Sequence, residues 1–198
     1  MREISRVAKV SLGAAYYYFP SKEALVHAFY DRVQDEHTAR VRAACASSGD
    51  VVARVRAALL TKLDIVADDR LLLGALFRFA GEQDHPLSVF SEGTRAQRDS
   101  SIATFALALE TARMPVALRP IAARALWLGH LGLILYFIHD RSEGQTRTRR
   151  LAERGAEIIG TALRLTSLPG AGLLLAPVLR AVTEAGLVSA PSTKEVCT

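Results

Sequence analysis

Residues 1–25 read MREISRVAKVSLGAAYYYFPSKEAL. Ile4, Val7 and Ala8 recur at three- and four-residue steps, which places them on one face of a first helix predicted over Arg2–Lys9. Val10-Ser11 reads as a turn, Ser11 is a residue type that caps helices, and a second short helix is predicted over Leu12–Tyr18. Val10 and Ala15 are expected to close a small core against the first helix. Two short helices joined by a tight turn form a helix-turn-helix, which places the first turn of its second helix in the major groove of DNA.

Outward from this stretch, Phe19-Pro20-Ser21 breaks the chain, and Ser21 caps a long third helix with Glu23 in its first turn. Its apolar stripe is Leu25, Val26, Phe29, Tyr30, Val33, His37 and Val41, and Ser47-Ser48-Gly49 ends it. Asp50 is expected to cap the next helix. Further helices are predicted over 51–67, 70–83, 87–113, 116–139, 146–166 and 172–186. Strand-type alternation is hard to find, and Ala, Leu, Arg and Glu dominate at helical spacing, so the predicted fold is all-α. The expected organisation is a partial helix-turn-helix domain with its connecting helix over 1–46, a ligand-binding and dimerisation domain over 47–188, and a flexible tail over 189–198.

Half of the 198 residues are apolar and 23% are charged, the balance of a globular chain with a real core. Cys45 and Cys197 stand far apart in no metal-ligand spacing, so neither a disulfide framework nor a metal site is expected. The compartment reads as a reducing cytoplasm. The opening Met1-Arg2-Glu3 is unlike a signal peptide. The longest apolar run, Ala125–Ile138, is short for a bilayer and carries His130 in its middle, which favours a buried helix over a membrane span. A net charge of +5 permits a polyanionic partner, and the first 22 residues carry Arg2, Arg6, Lys9 and Lys22 against Glu3 alone.

The run from Val10 to Leu25, VSLGAAYYYFPSKEAL, resembles the recognition-helix signature of the TetR/AcrR family of transcriptional regulators. The resemblance implies a ligand-responsive, dimeric DNA-binding protein that acts as a repressor, with a double-stranded DNA operator as partner. Carried onto this sequence, it makes Leu12, Gly13 and Ala14, beside the capping Ser11, the positions that face base edges. Arg2 would reach a base or phosphate, and Tyr17, Tyr18 and Lys22 would contact phosphates, tyrosine hydroxyls and a lysine being suitable backbone anchors. Tyr16 and Phe19 are expected to pack against the third helix. The plainer reading makes all three tyrosines core residues, but one short helix cannot bury three consecutive rings on one face. Lys9 stands where the family usually has glycine, at a position expected to need positive φ. The family also carries a helix ahead of this point, so the expectation is an N-terminal truncation that leaves Ile4, Val7 and Ala8 facing water on one side.

Leu72, Leu73, Leu76, Phe77, Phe79, Phe90, Phe105, Leu109, Trp127 and Leu131 are apolar enough to line a cavity for a small, mostly apolar ligand. Phe77, Phe105, Trp127 and His130 are the chosen pocket residues, with Arg78 and Glu82 as further polar candidates. The plainer reading makes His130 a satisfied core histidine and pairs Arg78 with Glu82 at the surface. The segment 120–139 is apolar nearly all round, and Leu151, Gly155, Ile158, Ala162 and Leu165 step by four and three. Helices covered on both sides suit a homodimer, with Gly129, Gly132, Gly155 and Gly160 allowing close approach. The chain has no Gly-rich phosphate loop and no nucleophile elbow, so no enzyme activity and no cofactor are expected. Glu153 and Glu157 read as ion-pair partners of Arg150 and Arg154. The competing classes are a dimeric helical ligand binder without DNA binding, and a small helical enzyme.

Overall fold

The computed structural model describes residues 1–82, 84–168 and 170–186, so the predicted tail and Pro169 lie outside it. Among the described residues there is no strand, and nine α-helices follow one another: α1 (Arg2–Val7), α2 (Leu12–Tyr18), α3 (Lys22–Ser47), α4 (Val51–Ile65), α5 (Arg70–Phe77), α6 (Arg95–Ala108), α7 (Arg119–His139), α8 (Thr146–Leu165) and α9 (Ala171–Glu184). Four 3₁₀ turns punctuate them, at Ala67–Asp69, Glu92–Thr94, Val116–Leu118 and Glu143–Gln145.

The helix starts follow from their caps. Ser11 Oγ accepts from Ala14 N at 3.0 Å, Ser21 Oγ accepts from Ala24 N at 3.0 Å, and the Asp50 carboxylate accepts from Val52 N and Ala53 N at 3.4 and 3.1 Å. Each satisfies amides that a helix start leaves without a partner.

α4 lies at the centre of the bundle and packs against α3, α6, α7 and α8. Val41 from α3, Val55, Ala58 and Leu63 from α4, Phe105 and Ala108 from α6, Phe137 from α7 and Ala156 from α8 are fully buried around it. The contact with α8 is close because Gly160 has no side chain, and a Cβ there would overlap Val52 Cγ2. That glycine, expected at a dimer interface, therefore serves packing within the chain. The turn from α7 to α8 is built on buried Asp140. Its Oδ1 accepts from Ser142 N and Oγ at 2.9 and 2.7 Å, and its Oδ2 accepts from Thr148 N and Oγ1 at 2.9 and 2.7 Å. Burial alone would raise the carboxyl pKa, but these hydrogen bonds outweigh it and hold the group well below the usual carboxylate range. Arg70 at the start of α5 donates from Nη2 to the carbonyls of Ile138 and Asp140 at 3.0 and 2.6 Å, closing the end of α7.

Two predicted helices are shorter in the structure. The segment expected over 70–83 is helical only to Phe77, and the one expected from Leu87 begins at Arg95; Gln83 lies outside the described residues. The intervening segment is held by side chains bonded to its backbone. Ser88 Oγ donates to Ala80 O at 3.0 Å, Thr94 Oγ1 donates to Ser88 O at 2.5 Å, and Arg98 Nη1 donates to Val89 O and Ser91 O at 3.1 Å each. These bonds satisfy backbone groups that a continuous helix would have paired internally.

The segment Val116–His139 is long and apolar enough to cross a membrane, so its length does not argue against a span as the sequence suggested. Its packing describes it better: Ala123, Leu126, Trp127, His130, Leu133 and Phe137 face the core. The opposite side exposes Leu128, Leu135 and Tyr136 beside Gly129 and Gly132. α8 is likewise apolar on two sides. Thr148, Ala152, Ala156, Gly160 and Leu163 are buried, whereas Leu151, Ile158, Ala162 and Leu165 are exposed.

Candidate functional site

The amino-terminal unit is a helix-turn-helix. α1 ends with Lys9 in the left-handed region at φ 55°, Val10 N donating to Ser5 O at 3.0 Å and Lys9 N to Arg6 O at 3.3 Å. That pair of bonds is a Schellman motif, whose left-handed position favours glycine. The lysine expected at a positive-φ position is therefore found in one, with a Cβ where the conformation disfavours it.

Ile4, Val7 and Ala8 face water as the sequence suggested, but Val10 does not close a core against them. Ala15 and Ser5 are buried, with Ser5 Oγ donating to Arg2 O at 2.9 Å, whereas Ile4, Val7, Ala8 and Val10 are exposed. The close approach of α1 and α2 is made at these two small side chains, leaving the larger ones on the outside. Tyr16 is exposed too, although it was expected to pack against α3. Successive residues of a helix turn by about 100°, and Ala15 alone takes the inward place. Tyr17 and Tyr18 are 80% and 72% exposed, and their rings meet edge to face at 5.2 Å between centroids.

Beside them the start of α2 presents Ser11, Leu12 and Gly13 on the surface with Ala14 half-buried, and Lys22 stands exposed at the start of α3. Arg2 is exposed as well, while Arg6 is paired with Glu3. The exposed tyrosine hydroxyls, the exposed Arg2 and Lys22 cations and the first turn of α2 thus share one short segment. This is an arrangement suited to a polyanionic backbone.

The second feature is a cavity of about 150 Å³ between α3, α4, α5, α6 and α7. Two of the residues chosen from sequence, Phe77 and Trp127, line it. Phe105 and His130 do not. They sit behind it in the fully buried core, where His37, Phe105 and His130 have ring centroids 5.3 to 6.3 Å apart. The histidine has the core position that the plainer reading gave it, although its Nε2 has no hydrogen-bond partner. Burial foremost, and the nearby Lys62 charge after it, push His37 down to about 3 and His130 well below the ordinary histidine value. Both are neutral rings at pH 7.

Of the remaining candidates, Leu73, Leu76 and Leu131 reach the cavity, and Leu72, Phe79, Phe90 and Leu109 do not line it. Phe79 stacks on His85 at 4.1 Å, and Phe90 meets the edge of Trp127 from the loop before α6. Arg78 and Glu82 are exposed and away from the cavity. Nor does Arg78 pair with Glu82: its Nε donates to Ala75 O at 3.3 Å. Glu157 does form the expected ion pair with Arg154, at 2.8 Å, and is also 3.8 Å from Arg56.

What sequence reasoning missed is the polar part of the wall. Phe29, Tyr30, Val33 and Gln34 come from α3, Lys62 from α4, and Gln97 and Arg98 from α6. Lys62 Nζ donates to Gln34 Oε1 at 2.6 Å, and Gln34 Nε2 donates to Thr38 Oγ1 and Thr104 Oγ1 at 3.1 and 3.2 Å. Burial lowers the Lys62 pKa to about 8. The available signal was a lysine between Leu59, Leu63 and Val66 on the inward face of α4. No group of three or more metal-ligating side chains is gathered among the described residues.

A helix-turn-helix followed by a helical bundle is the architecture of a DNA-binding transcriptional regulator. Residues 1–29 match the profile of the bacterial regulatory proteins, tetR family, and residues 54–182 match the tetracyclin repressor-like, C-terminal domain. The chain belongs to the TetR family of transcriptional regulators. No curated protein sequence matches it.

Proposed function

We propose that this TetR-type regulator is a cytoplasmic, homodimeric repressor whose hold on an operator is controlled by a small, mostly apolar molecule bound in the cavity. The observation that carries the reading is α3. It begins at Lys22, capped by Ser21 directly after the helix-turn-helix, and supplies Phe29, Tyr30, Val33 and Gln34 to the cavity wall. A single unbroken helix thus belongs to both sites. The ligand's apolar body would lie against Leu73, Phe77, Trp127 and Leu131.

The homodimer is supported by the outward faces of α7 and α8. Leu128, Leu135, Leu151, Ile158 and Leu165 are exposed at helical spacing on neighbouring helices, and Cβ atoms at Gly129, Gly132 and Gly155 would meet nothing. Contiguous exposed apolar surface of this kind marks an interface. A second copy then sets two recognition helices at a fixed spacing for a palindromic operator. Leu12, Gly13 and Ala14 face base edges, and Arg2, Tyr17, Tyr18 and Lys22 hold the backbone. The domain division follows α3, with 1–46 reading DNA and 47–188 sensing and pairing.

The test is a gel-shift with palindromic sequences adjacent to the chain's own gene, at two salt concentrations. Lys22→Ala is expected to weaken binding and to reduce the salt slope by about one, and Tyr18→Ala to weaken binding. Light scattering is expected to give twice the 21.5 kDa chain mass. A monomer at micromolar concentration, or binding unaffected by both substitutions, refutes the reading.

A further inference from the structure

The cavity has a charge that nothing among the described residues balances. Its walls contain Lys62 and Arg98 and not one aspartate or glutamate. Arg98 spends Nη1 on the carbonyls of Val89 and Ser91. Lys62 has only the neutral amide of Gln34 as a hydrogen-bond acceptor among the described residues, which uses one of the three donors of an ammonium group. Gln34 is itself fixed by Thr38 and Thr104, so the ammonium is held in place as well as desolvated.

The neighbouring titratable groups give no negative charge either. His37 on α3 and His130 on α7 are neutral at pH 7, and Tyr30 on α3 has its phenol pushed further towards the protonated form by burial. A cation with no counter-charge, set in a mostly apolar hollow, costs stability that an apolar side chain of similar length would not. The rest of the lining is mainly leucine, isoleucine, valine, alanine, phenylalanine and tryptophan, with Tyr30, Gln34, Thr94, Gln97 and Ser101 as its neutral polar members, so the hollow accommodates a body that is largely apolar with one anionic end.

We propose that the effector is an amphipathic organic carboxylate whose anionic end pairs with Lys62 Nζ, while its hydrocarbon part fills the space between Phe77, Leu73, Trp127 and Leu131. The proposal rests on the cavity being the effector site, and narrows that site to one ligand class. Lys62 remains mostly protonated at pH 7 with a pKa of about 8, so the pair forms as ammonium and carboxylate. Neutral and cationic molecules of the same shape lack the group that would complete the site.

The experiment is calorimetric titration of the full chain at pH 7 with octanoate, octan-1-ol and octylamine, which share one chain and differ in head group. Octanoate is expected to bind at least about tenfold more tightly than octan-1-ol, and octylamine more weakly than either. Lys62→Met is expected to remove the preference for octanoate over octan-1-ol, with a cooperative thermal melt reporting that the variant is folded. Should that variant fail to fold, Lys62→Gln carries the same expectation. Equal affinity for octanoate and octan-1-ol, octanoate binding unaltered by loss of Lys62, or no octanoate binding at millimolar concentration overturns the proposal. The same compounds are then added to the operator complex. Octanoate that binds through Lys62 without releasing DNA sinks the regulatory reading and leaves the carboxylate site standing, whereas release by octan-1-ol alone does the reverse.

Discussion

Replacing Lys62 by methionine removes a buried charge while keeping a flexible apolar side chain of comparable length, and it should make the unliganded protein more stable. The lowering of the lysine from 10.5 to about 8 arises from burial. It corresponds to roughly 3 kcal/mol against the charged form in the folded chain. Lys62 keeps part of its surface open to solvent, which screens the charge and reduces that figure. Loss of the Gln34 hydrogen bond takes away about 1 kcal/mol more. A net gain of ~1–2 kcal/mol remains, or roughly 3–6 °C in Tm for a chain of this size.

The pH dependence gives the sharper signature. Below pH 8 the lysine is protonated in both folded and unfolded chains, and the whole penalty is present. Between pH 8 and 10.5 the folded chain has released the proton that the unfolded chain still holds, so wild-type stability rises with pH. The advantage of Lys62→Met should therefore be full at pH 7 and mostly gone by about pH 10. Urea unfolding at both pH values, at one protein concentration, measures it. A variant less stable than wild type at pH 7, or a gap equal at the two pH values, would refute the reasoning.

Acid should act on the core through its two neutral histidines. His37 has a folded pKa of about 3 against 6.5 unfolded, so its share of stability is intact above pH 6.5 and is lost as pH falls towards 3, by ~2 kcal/mol between pH 7 and pH 5. His130 adds a loss of the same sign; thermal melts that do not shift down across this range would show that the folded core accepts the protons. Gly160→Ala drives a Cβ into Val52 Cγ2 between α8 and α4, and is expected to destabilise by ~1–3 kcal/mol in urea unfolding, with Val52→Ala restoring most of it. An unaltered midpoint would mean that the two helices separate freely.

The helix order and the helix-turn-helix were legible because their signals are local. Ser11, Ser21 and Asp50 cap the helices that follow them, and Lys9 occupies the positive-φ position that the family resemblance implied. The loop between α5 and α6 was not legible, since Arg98 and Thr94 hold it through bonds to the backbone of Val89, Ser91 and Ser88 that no periodicity records. The cavity was legible by half. Apolar spacing tells which side chains point inward but not how deep they lie: Trp127 and His130 share the inner face of α7, yet one lines the cavity and the other is in the core behind it. Lys62 and Gln34 were overlooked because polar residues among apolar ones read as surface, and only the tertiary arrangement turns them inward.

The uninterrupted run of α3 also fixes how far a small event at the cavity carries. Its 26 residues span about 39 Å at 1.5 Å per residue, and the 12 steps from Gln34 back to Lys22 span about 18 Å. With no proline or kink to absorb rotation, a tilt of about 5° at Gln34 would swing Lys22 by on the order of 1.5 Å. A hydrogen bond to a phosphate tolerates only a few tenths of an ångström. The helix is therefore a stiff spoke with a built-in gain, and under the proposed function a ligand would need to shift its walls very little to move the tyrosines and lysine out of reach of a DNA backbone.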